Sequence, residues 1–163
     1  MTAPIRPSTQ VATGARPPVT ITTRWSHDIT FINNAVHDRA VLLDGHSKEA
    51  QSPPEALLSA LTSCTMVDII EILKKKRTPA SRAECRTTGE RFPGVPARFI
   101  AITLEYHIEG EGINEVGAEH AIDLAVNKYC TVRESLDPTM IVTTKLVLNG
   151  TAFAEKDATK PAA

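Results

Sequence analysis

The sequence predicts a single α+β domain, on three observations. Strand-like segments alternate apolar and polar residues, two helical segments repeat apolar residues every three or four positions, and their order lacks regular strand and helix alternation. The chain's 163 residues with 42% hydrophobic content suffice for one core. We place the domain at residues 19–150, between a disordered, Pro-rich segment at 1–18 and a flexible tail at 151–163.

The N-terminal part of the domain predicts a small meander. Residues 19–32 carry β-branched and aromatic side chains in rough alternation, as in one or two strands. Asn33-Asn34 indicates a turn. Residues 40–43 indicate a further short strand, closed by turn chemistry at Asp44-Gly45.

The strongest local signal predicts a helix from residue 52 to about Lys75. A capping serine, two early prolines and a glutamate begin it at 52–55, and the cations of 74–77 suit its C-terminal end. This helix is apolar over much of its circumference, so we expect it to be enclosed on several sides. In a chain of this length, dimerisation is a natural way to cover it.

The C-terminal half predicts a hairpin, a helix and a strand. Residues 83–90 and 99–108 alternate on either side of the turn at 93–96. Residues 114–136 have the stripes of a second amphipathic helix, broken near Cys130, and 141–148 form the last strand.

Composition excludes several classes of function. The net charge of -1 indicates no nucleic-acid partner. The apolar run at 56–73 contains Ser59, Asp68 and Glu71, which favours a buried helix over a membrane span. The first residues lack the apolar core of a signal peptide, so we expect a cytoplasmic protein. The five histidines, including His37, show no metal-binding spacing, and no phosphate-binding glycine loop occurs.

The three cysteines are the main candidates for chemistry. Cys64 shares a helix stripe with apolar residues, so it is either a small core residue or a nucleophile whose thiol pKa a basic neighbour lowers. Cys130 has charged and polar neighbours, which leaves packing and reactivity equally open. Cys85 lies in a predicted strand, where a packing role is favoured.

Glu55 also has two interpretations, and capping is favoured on the sequence alone. It is the glutamate of the capping box, and nine residues separate it from Cys64, which places the two on opposite sides of one ideal helix. The carboxylate could approach the thiol if the first turns are displaced or if a partner subunit brings it there.

Two segments resemble a known family. Residues 52–64, Ser-Pro-Pro-Glu-Ala-Leu-Leu-Ser-Ala-Leu-Thr-Ser-Cys, are similar to the helix that carries the first cysteine of OsmC/Ohr proteins. Residues 121–130, Ala-Ile-Asp-Leu-Ala-Val-Asn-Lys-Tyr-Cys, are similar to the second cysteine segment. The resemblance covers about 19–148 and is nearest to the YhfA-like branch. It departs from the family pattern at Thr131, where a proline is common.

The resemblance implies an OsmC-like fold, in which an antiparallel sheet wraps a central buried helix in an intertwined homodimer. It implies that Cys64 attacks a hydroperoxide and that Cys130 resolves the resulting sulfenic acid as a disulfide. Glu55 and an arginine would flank the first thiol, and Arg39 is the nearest arginine in context, offset by three residues from the family position.

The sequence-based hypothesis is therefore a thiol-dependent peroxidase for organic hydroperoxides in oxidative stress defence. It requires no bound cofactor, and an external thiol or lipoyl-type reductant reopens the disulfide. The alternative is a non-catalytic stress protein that binds an apolar ligand in the pocket at the dimer interface. A third interpretation, in which Cys64 only packs, predicts no disulfide on oxidation.

Overall fold

A computed structural model describes residues 16–35 and 39–160. They form two compact units, the first ending at Ala50 and the second beginning at Gln51, where the sequence predicted one domain over 19–150. Residues 1–15 of the segment predicted to be disordered, and His37, lie outside the described residues.

The first unit is an antiparallel meander of β1 (Thr22–His27), β2 (Thr30–Asn34) and β3 (Ala40–Asp44), in that order. The predicted meander is confirmed, but the predicted turn at Asn33-Asn34 is wrong. Both asparagines lie in β2, because their side-chain oxygens accept hydrogen bonds across the strand pair, from Thr23 at 2.6 Å and from Arg24 at 2.8 Å.

The second unit begins with α1 (Pro53–Lys75), as the sequence predicted. The backbone N–H and the hydroxyl of Ser52 each donate to Glu55 Oε2 at 2.7 Å, which ties down the first turn. One side of the helix is buried in the core of the unit through a regular set of residues. They are Leu61, Thr65, Ile69 and Leu73.

The other side of α1 is open in the single chain. Val67 is 64% exposed and Ile70 36% exposed, so the expected enclosure on several sides is not met by this chain alone. By length and composition, α1 could also cross a membrane. The core helices of soluble proteins can have the same length and composition, and α1 packs along one side against the rest of its unit.

The hairpin that the sequence predicted is confirmed as β4 (Arg82–Arg91) and β5 (Phe99–Glu109), paired antiparallel. On β5, alternate residues are buried from Ile102 to Ile108, as expected of a strand with one face on the core. This face lies towards the helices of the unit.

The predicted second helix is present in three pieces. α2 (Glu115–Leu124) begins at Asn114, whose side chain accepts a hydrogen bond from the Gly117 N–H at 2.8 Å. A π-helical turn (Ala125–Tyr129) follows, and the chain breaks at Cys130, as predicted, before the single turn of α3 (Thr131–Glu134). The sequence did not predict the π-helical turn.

The last long strand, β6 (Ile141–Leu148), corrects the predicted sheet. It pairs with β5 in parallel, so the sheet is mixed and not antiparallel. The helical segment between the two strands acts as the crossover that a parallel pair requires.

The predicted flexible tail is also corrected. β7 (Thr151–Ala152) and β8 (Lys156–Asp157) both pair with β6, and Ala158 is buried. Its backbone N–H donates to the Val142 carbonyl at 2.7 Å, so residues 151–160 complete the sheet.

Candidate functional site

The structure brings Cys64 and Cys130 together, although 66 positions separate them in the sequence. Their side chains are close enough to interact, and the proximity of Cys64 raises the pKa of the Cys130 thiol. Cys64 is half-buried on α1, and Cys130 is buried after the π-helical turn. Both are free thiols, so the pair can exist as a dithiol or close to a disulfide.

Local backbone geometry holds Cys130 in place. Its N–H donates to the Ala125 carbonyl at 3.0 Å, the extra-wide bond that ends the π-helical turn. Its sulfur then accepts the backbone N–H of Arg133 at 3.3 Å. Cys130 therefore donates one hydrogen bond through its backbone and accepts one through its sulfur, and the two bonds fix the thiol at the break between the two helical pieces.

The environment keeps Cys130 protonated at neutral pH. Burial raises the pKa of its thiol to about 11, and the hydrogen bond from the Arg133 N–H opposes that rise without overcoming it. The contact with Cys64 raises the pKa further. A protonated thiol is a poor nucleophile, which leaves the more exposed Cys64 as the candidate nucleophile.

Arg133 is the residue that the sequence did not single out. It is 1% exposed, and none of its three guanidinium nitrogens has a hydrogen-bond partner in the described part of the chain. Burial lowers its pKa, and the charges of Glu134, Cys130 and Asp137 act in the opposite direction. Its place three residues after Cys130, at a helix start, was a sequence signal for the contact between its backbone N–H and the Cys130 sulfur. The sequence does not reveal the environment of the guanidinium, because arginine is rarely fully buried.

A buried tyrosine lies near the thiols. Tyr106 on β5 donates its hydroxyl to Thr65 Oγ1 at 2.9 Å, beside Cys64 in the sequence. Burial raises the pKa of Tyr106, and the charges of Cys85 and Cys130 add to that rise. This hydroxyl is therefore a fixed, neutral donor in the wall of the site.

Cys85 packs against the core, as the sequence favoured. Burial raises the pKa of its thiol to about 11, and a contact with Thr87 Oγ1 at 3.7 Å partly opposes the rise. It lies on β4 directly across from Tyr106. Such a protonated, packed thiol is a poor nucleophile.

The structure does not bring Glu55 to Cys64 within one chain. Because α1 is continuous, the two residues lie about 180° apart around its axis and about 13 Å apart along it. Glu55 instead holds Ser52 at the helix start. Arg39 is exposed in the other unit, just before β3. The proposed roles of Glu55 and Arg39 beside the thiol stay predictions.

An apolar cleft of about 300 Å³ lies near the start of α1. Leu57 lines it and is seven residues before Cys64, so the two share one side of the helix within about 20°. The opposite wall includes Met140, ten residues after Cys130. The lining residues are Pro53, Pro54, Leu57, Ala97, Arg98, Phe99, Asp137 and Met140.

The described residues contain no group of three His, Cys, Asp or Glu side chains placed to hold a metal ion. The chemistry that this arrangement can perform is that of a vicinal dithiol. A thiolate at Cys64 can attack an electrophilic atom, and Cys130 is in position to form a disulfide with it.

Comparisons with known proteins show the family of the chain. A family model described as OsmC-like protein matches residues 45–145. Protein YhfA of Escherichia coli (strain K12) is 31% identical over 121 residues, which cover 74% of this chain and 90% of that protein.

Solved structures share the fold. An OsmC-like protein from Mycoplasma pneumoniae superposes with a TM-score of 0.72 at 18% identity, over 82% of this chain and 99% of that one. An organic hydroperoxide resistance protein from Legionella pneumophila does so with a TM-score of 0.58 at 14% identity, over 82% and 98%. At these identities the likeness shows the α+β fold alone.

Proposed function

Because this chain belongs to the OsmC-like protein family, we propose that it is a thiol-dependent reductase of organic hydroperoxides. The observation that carries the proposal is the proximity of a half-buried Cys64 and a buried Cys130. A structural relative named for organic hydroperoxide resistance supports the choice of substrate class.

The reaction has three steps. The Cys64 thiolate attacks the outer oxygen of the hydroperoxide, the O–O bond breaks, and an alcohol leaves after taking up a proton. The Cys64 sulfenic acid then reacts with the Cys130 thiol to give a disulfide and water. An external dithiol of the lipoyl type, or another thiol reductant, reduces the disulfide by exchange and is itself oxidised.

The apolar cleft supports an organic substrate over hydrogen peroxide. Its lining is mostly aliphatic and aromatic, and its Leu57 lies two turns before Cys64 on the same side of α1. An alkyl or aryl group bound there would gain free energy from burial, which hydrogen peroxide cannot do. Arg98 and Asp137 supply the charged edge of the cleft.

Peroxide consumption tests the proposal directly. Purified protein is mixed with cumene, tert-butyl or fatty-acid hydroperoxide and either dithiothreitol or a lipoyl reductant. The proposal expects multiple turnovers with at least one of these substrates and slower turnover of hydrogen peroxide. Absence of turnover with all of them would rule it out.

A second candidate is a non-catalytic protein that binds an apolar ligand, and the same cleft favours it. The reactivity of the thiols separates the two functions. If both thiols react with hydroperoxide no faster than free cysteine, and an apolar ligand still binds, the binding function replaces the catalytic one.

The homodimer is part of the proposal, as is a cytoplasmic location. The exposed apolar side of α1, with Val67 and Ile70, supports a second copy as its cover. Sedimentation should give twice the chain mass. Val67→Lys should shift the protein to monomer, whereas Val116→Lys, at an exposed position on α2, should not. A monomeric wild-type protein would exclude the dimer.

A further inference from the structure

Arg133 carries a buried charge that nothing in the described part of the chain neutralises. Its side chain is 1% exposed, yet its Nε, Nη1 and Nη2 atoms lack hydrogen-bond partners there. A buried guanidinium without a partner strongly destabilises a fold. Its presence in the core therefore points to an anion that it meets during function.

The nearby carboxylates do not supply that anion. Glu134 is exposed and forms an ion pair with Lys160. Asp137 is exposed and accepts hydrogen bonds from the backbone N–H and the hydroxyl of Thr139 at 2.8 and 2.7 Å. Both act on Arg133 only through longer-range attraction.

The buried group that interacts with Arg133 is the thiol of Cys130. The backbone N–H of Arg133 donates to the sulfur of Cys130 at 3.3 Å, so the single turn of α3 ties the arginine to that thiol. Cys64 on α1 interacts with the same sulfur, and Tyr106 on β5, whose hydroxyl is bonded to Thr65, is close enough for the charge of Cys130 to raise its pKa. Cys130 is the thiol that interacts electrostatically with Arg133, and its sulfur carries negative charge at two points of the proposed cycle.

We propose that Arg133 is a positioning residue that stabilises negative charge on the sulfur of Cys130, both when this thiol resolves the sulfenic acid and when the disulfide is reduced. The proposal rests on the thiol peroxidase function for its place in the cycle. The contact between Arg133 and Cys130 can be tested without that function.

The first step that needs Arg133 is resolution. The Cys130 sulfur attacks the sulfur of the Cys64 sulfenic acid, the S–O bond breaks, and hydroxide leaves with the proton from Cys130 as water. Charge develops on Cys130 as its proton departs. A fixed guanidinium lowers the cost of that charge in a buried site.

The second step is reduction of the disulfide. A thiolate of the external dithiol attacks the more exposed Cys64 sulfur, the S–S bond breaks, and Cys130 leaves with the electron pair as a thiolate. The second thiol of the reductant then closes its own disulfide and releases Cys64. Arg133 stabilises Cys130 as the leaving group until it regains a proton from solvent.

Alkylation of Cys130 tests the contact in a chain that has no other thiol. In the Cys64→Ala, Cys85→Ser background, the pH dependence of the iodoacetamide reaction gives the titration midpoint of Cys130. Arg133→Met should raise that midpoint by at least about one pH unit, because an opposite charge is lost. Arg133→Lys should restore part of the shift, and Arg86→Met, at an exposed position on β4, should have no effect.

An unchanged midpoint in a folded Arg133→Met protein would overturn the proposal. Should this variant not fold, Cys130→Asp and Cys130→Asn decide the question with Arg133 intact. The proposal expects the aspartate variant to melt at or above the temperature of the asparagine variant at neutral pH. A clearly lower melting temperature for the aspartate variant would contradict it, because a buried carboxylate beside a guanidinium should be paired.

Turnover separates this proposal from the function on which it rests. In the otherwise native chain, Arg133→Met should leave the rate of sulfenic acid formation unchanged and slow disulfide formation at least about tenfold. Equal rates of disulfide formation in the variant and the native protein would overturn the role in the cycle. If the native protein reduces no peroxide, the proposed function fails, while the alkylation midpoints still decide whether Arg133 acts on Cys130.

Discussion

The thiol of Cys130, held at the end of a π-helical turn, lies close to the side chain of Cys64 on α1. This contact joins two segments that are distant in the sequence and differ in exposure. The more exposed sulfur can meet a substrate, and the buried one is protected from it. In the proposed reaction, this difference in exposure makes Cys64 the nucleophile and Cys130 the thiol that resolves the sulfenic acid.

Replacing each cysteine should give a different defect. Cys64→Ser should reduce peroxide consumption to the rate measured without protein, because the nucleophile is lost. Cys130→Ser should still form one sulfenic acid per chain, which then oxidises to sulfinic acid without turnover. Intact-mass spectrometry after peroxide addition distinguishes these products.

Cys85→Ser is the matched control for this series, because Cys85 packs against the core and is not paired with either thiol. It should retain turnover within about twofold, after correction for any loss of folded protein. Loss of sulfenic acid formation in a folded Cys85→Ser protein would mean that the nucleophile has been misassigned.

The pKa of Cys130 should depend on Cys64. Burial is the main cause of the raised pKa of about 11, and the proximity of Cys64 adds to it. Cys64→Ala should therefore lower the pKa of Cys130, which remains above the ordinary cysteine value because burial persists. Alkylation rates across pH 8 to about 12 measure the shift. A pKa that rises on this substitution would show that Cys64 does not stabilise the protonated thiol of Cys130.

The apolar cleft should decide substrate preference. Leu57→Glu places a charge in the cleft, so KM for cumene hydroperoxide should rise about tenfold because an apolar group no longer binds well. Hydrogen peroxide needs no apolar contact, so its kcat/KM should change little. Steady-state kinetics with both substrates, and with Val116→Glu as a control on α2, check this result. Equal losses for the two peroxides would exclude the cleft as the substrate site.

The hydrogen bond from Tyr106 to Thr65 should stabilise the core beside the site. Tyr106→Phe should lower the free energy of unfolding by about 1 kcal/mol, because Thr65 keeps its bond to the Thr62 carbonyl. Thr65→Val should cost about 2 kcal/mol, because the buried Tyr106 hydroxyl loses its acceptor.

Denaturant titrations measure both changes, and the order of the two variants is the informative result. Thr88→Val, at an exposed position on β4, should change the stability by less than about 0.5 kcal/mol. A larger cost for Tyr106→Phe than for Thr65→Val would show that the hydroxyl is satisfied by another group.

Local sequence signals predicted the ranges of the main helices and strands well, whereas the pairing of the strands was harder to predict. The range of α1 followed from Ser52, the prolines and the terminal lysines, since each acts within a turn of the helix. The parallel pairing of β5 with β6 depends on the path of the chain between them, which strand alternation does not encode. The order of residues 151–160 has the same origin, because short strands gain their stability from the neighbour with which they pair.

The sequence predicted only part of the candidate site, because local signals identify single segments and not the contacts between distant ones. Both cysteine segments could be recognised from their own residues, and the structure brings the two thiols together. Arg133 could not be ranked above Arg39, because only the folded chain shows that one guanidinium is buried and the other residue exposed. The capping contact of Glu55 was visible in the sequence, since it spans three residues.

The central claim is that Cys64 and Cys130 form a redox pair. Peptide mass spectrometry after mild treatment with an organic hydroperoxide, with free thiols blocked before digestion, tests it most directly. The account predicts a disulfide that links the Cys64 and Cys130 peptides, reversed by a dithiol, with Cys85 recovered as a blocked free thiol. Recovery of Cys64 and Cys130 without a link, or a link that involves Cys85, would contradict it.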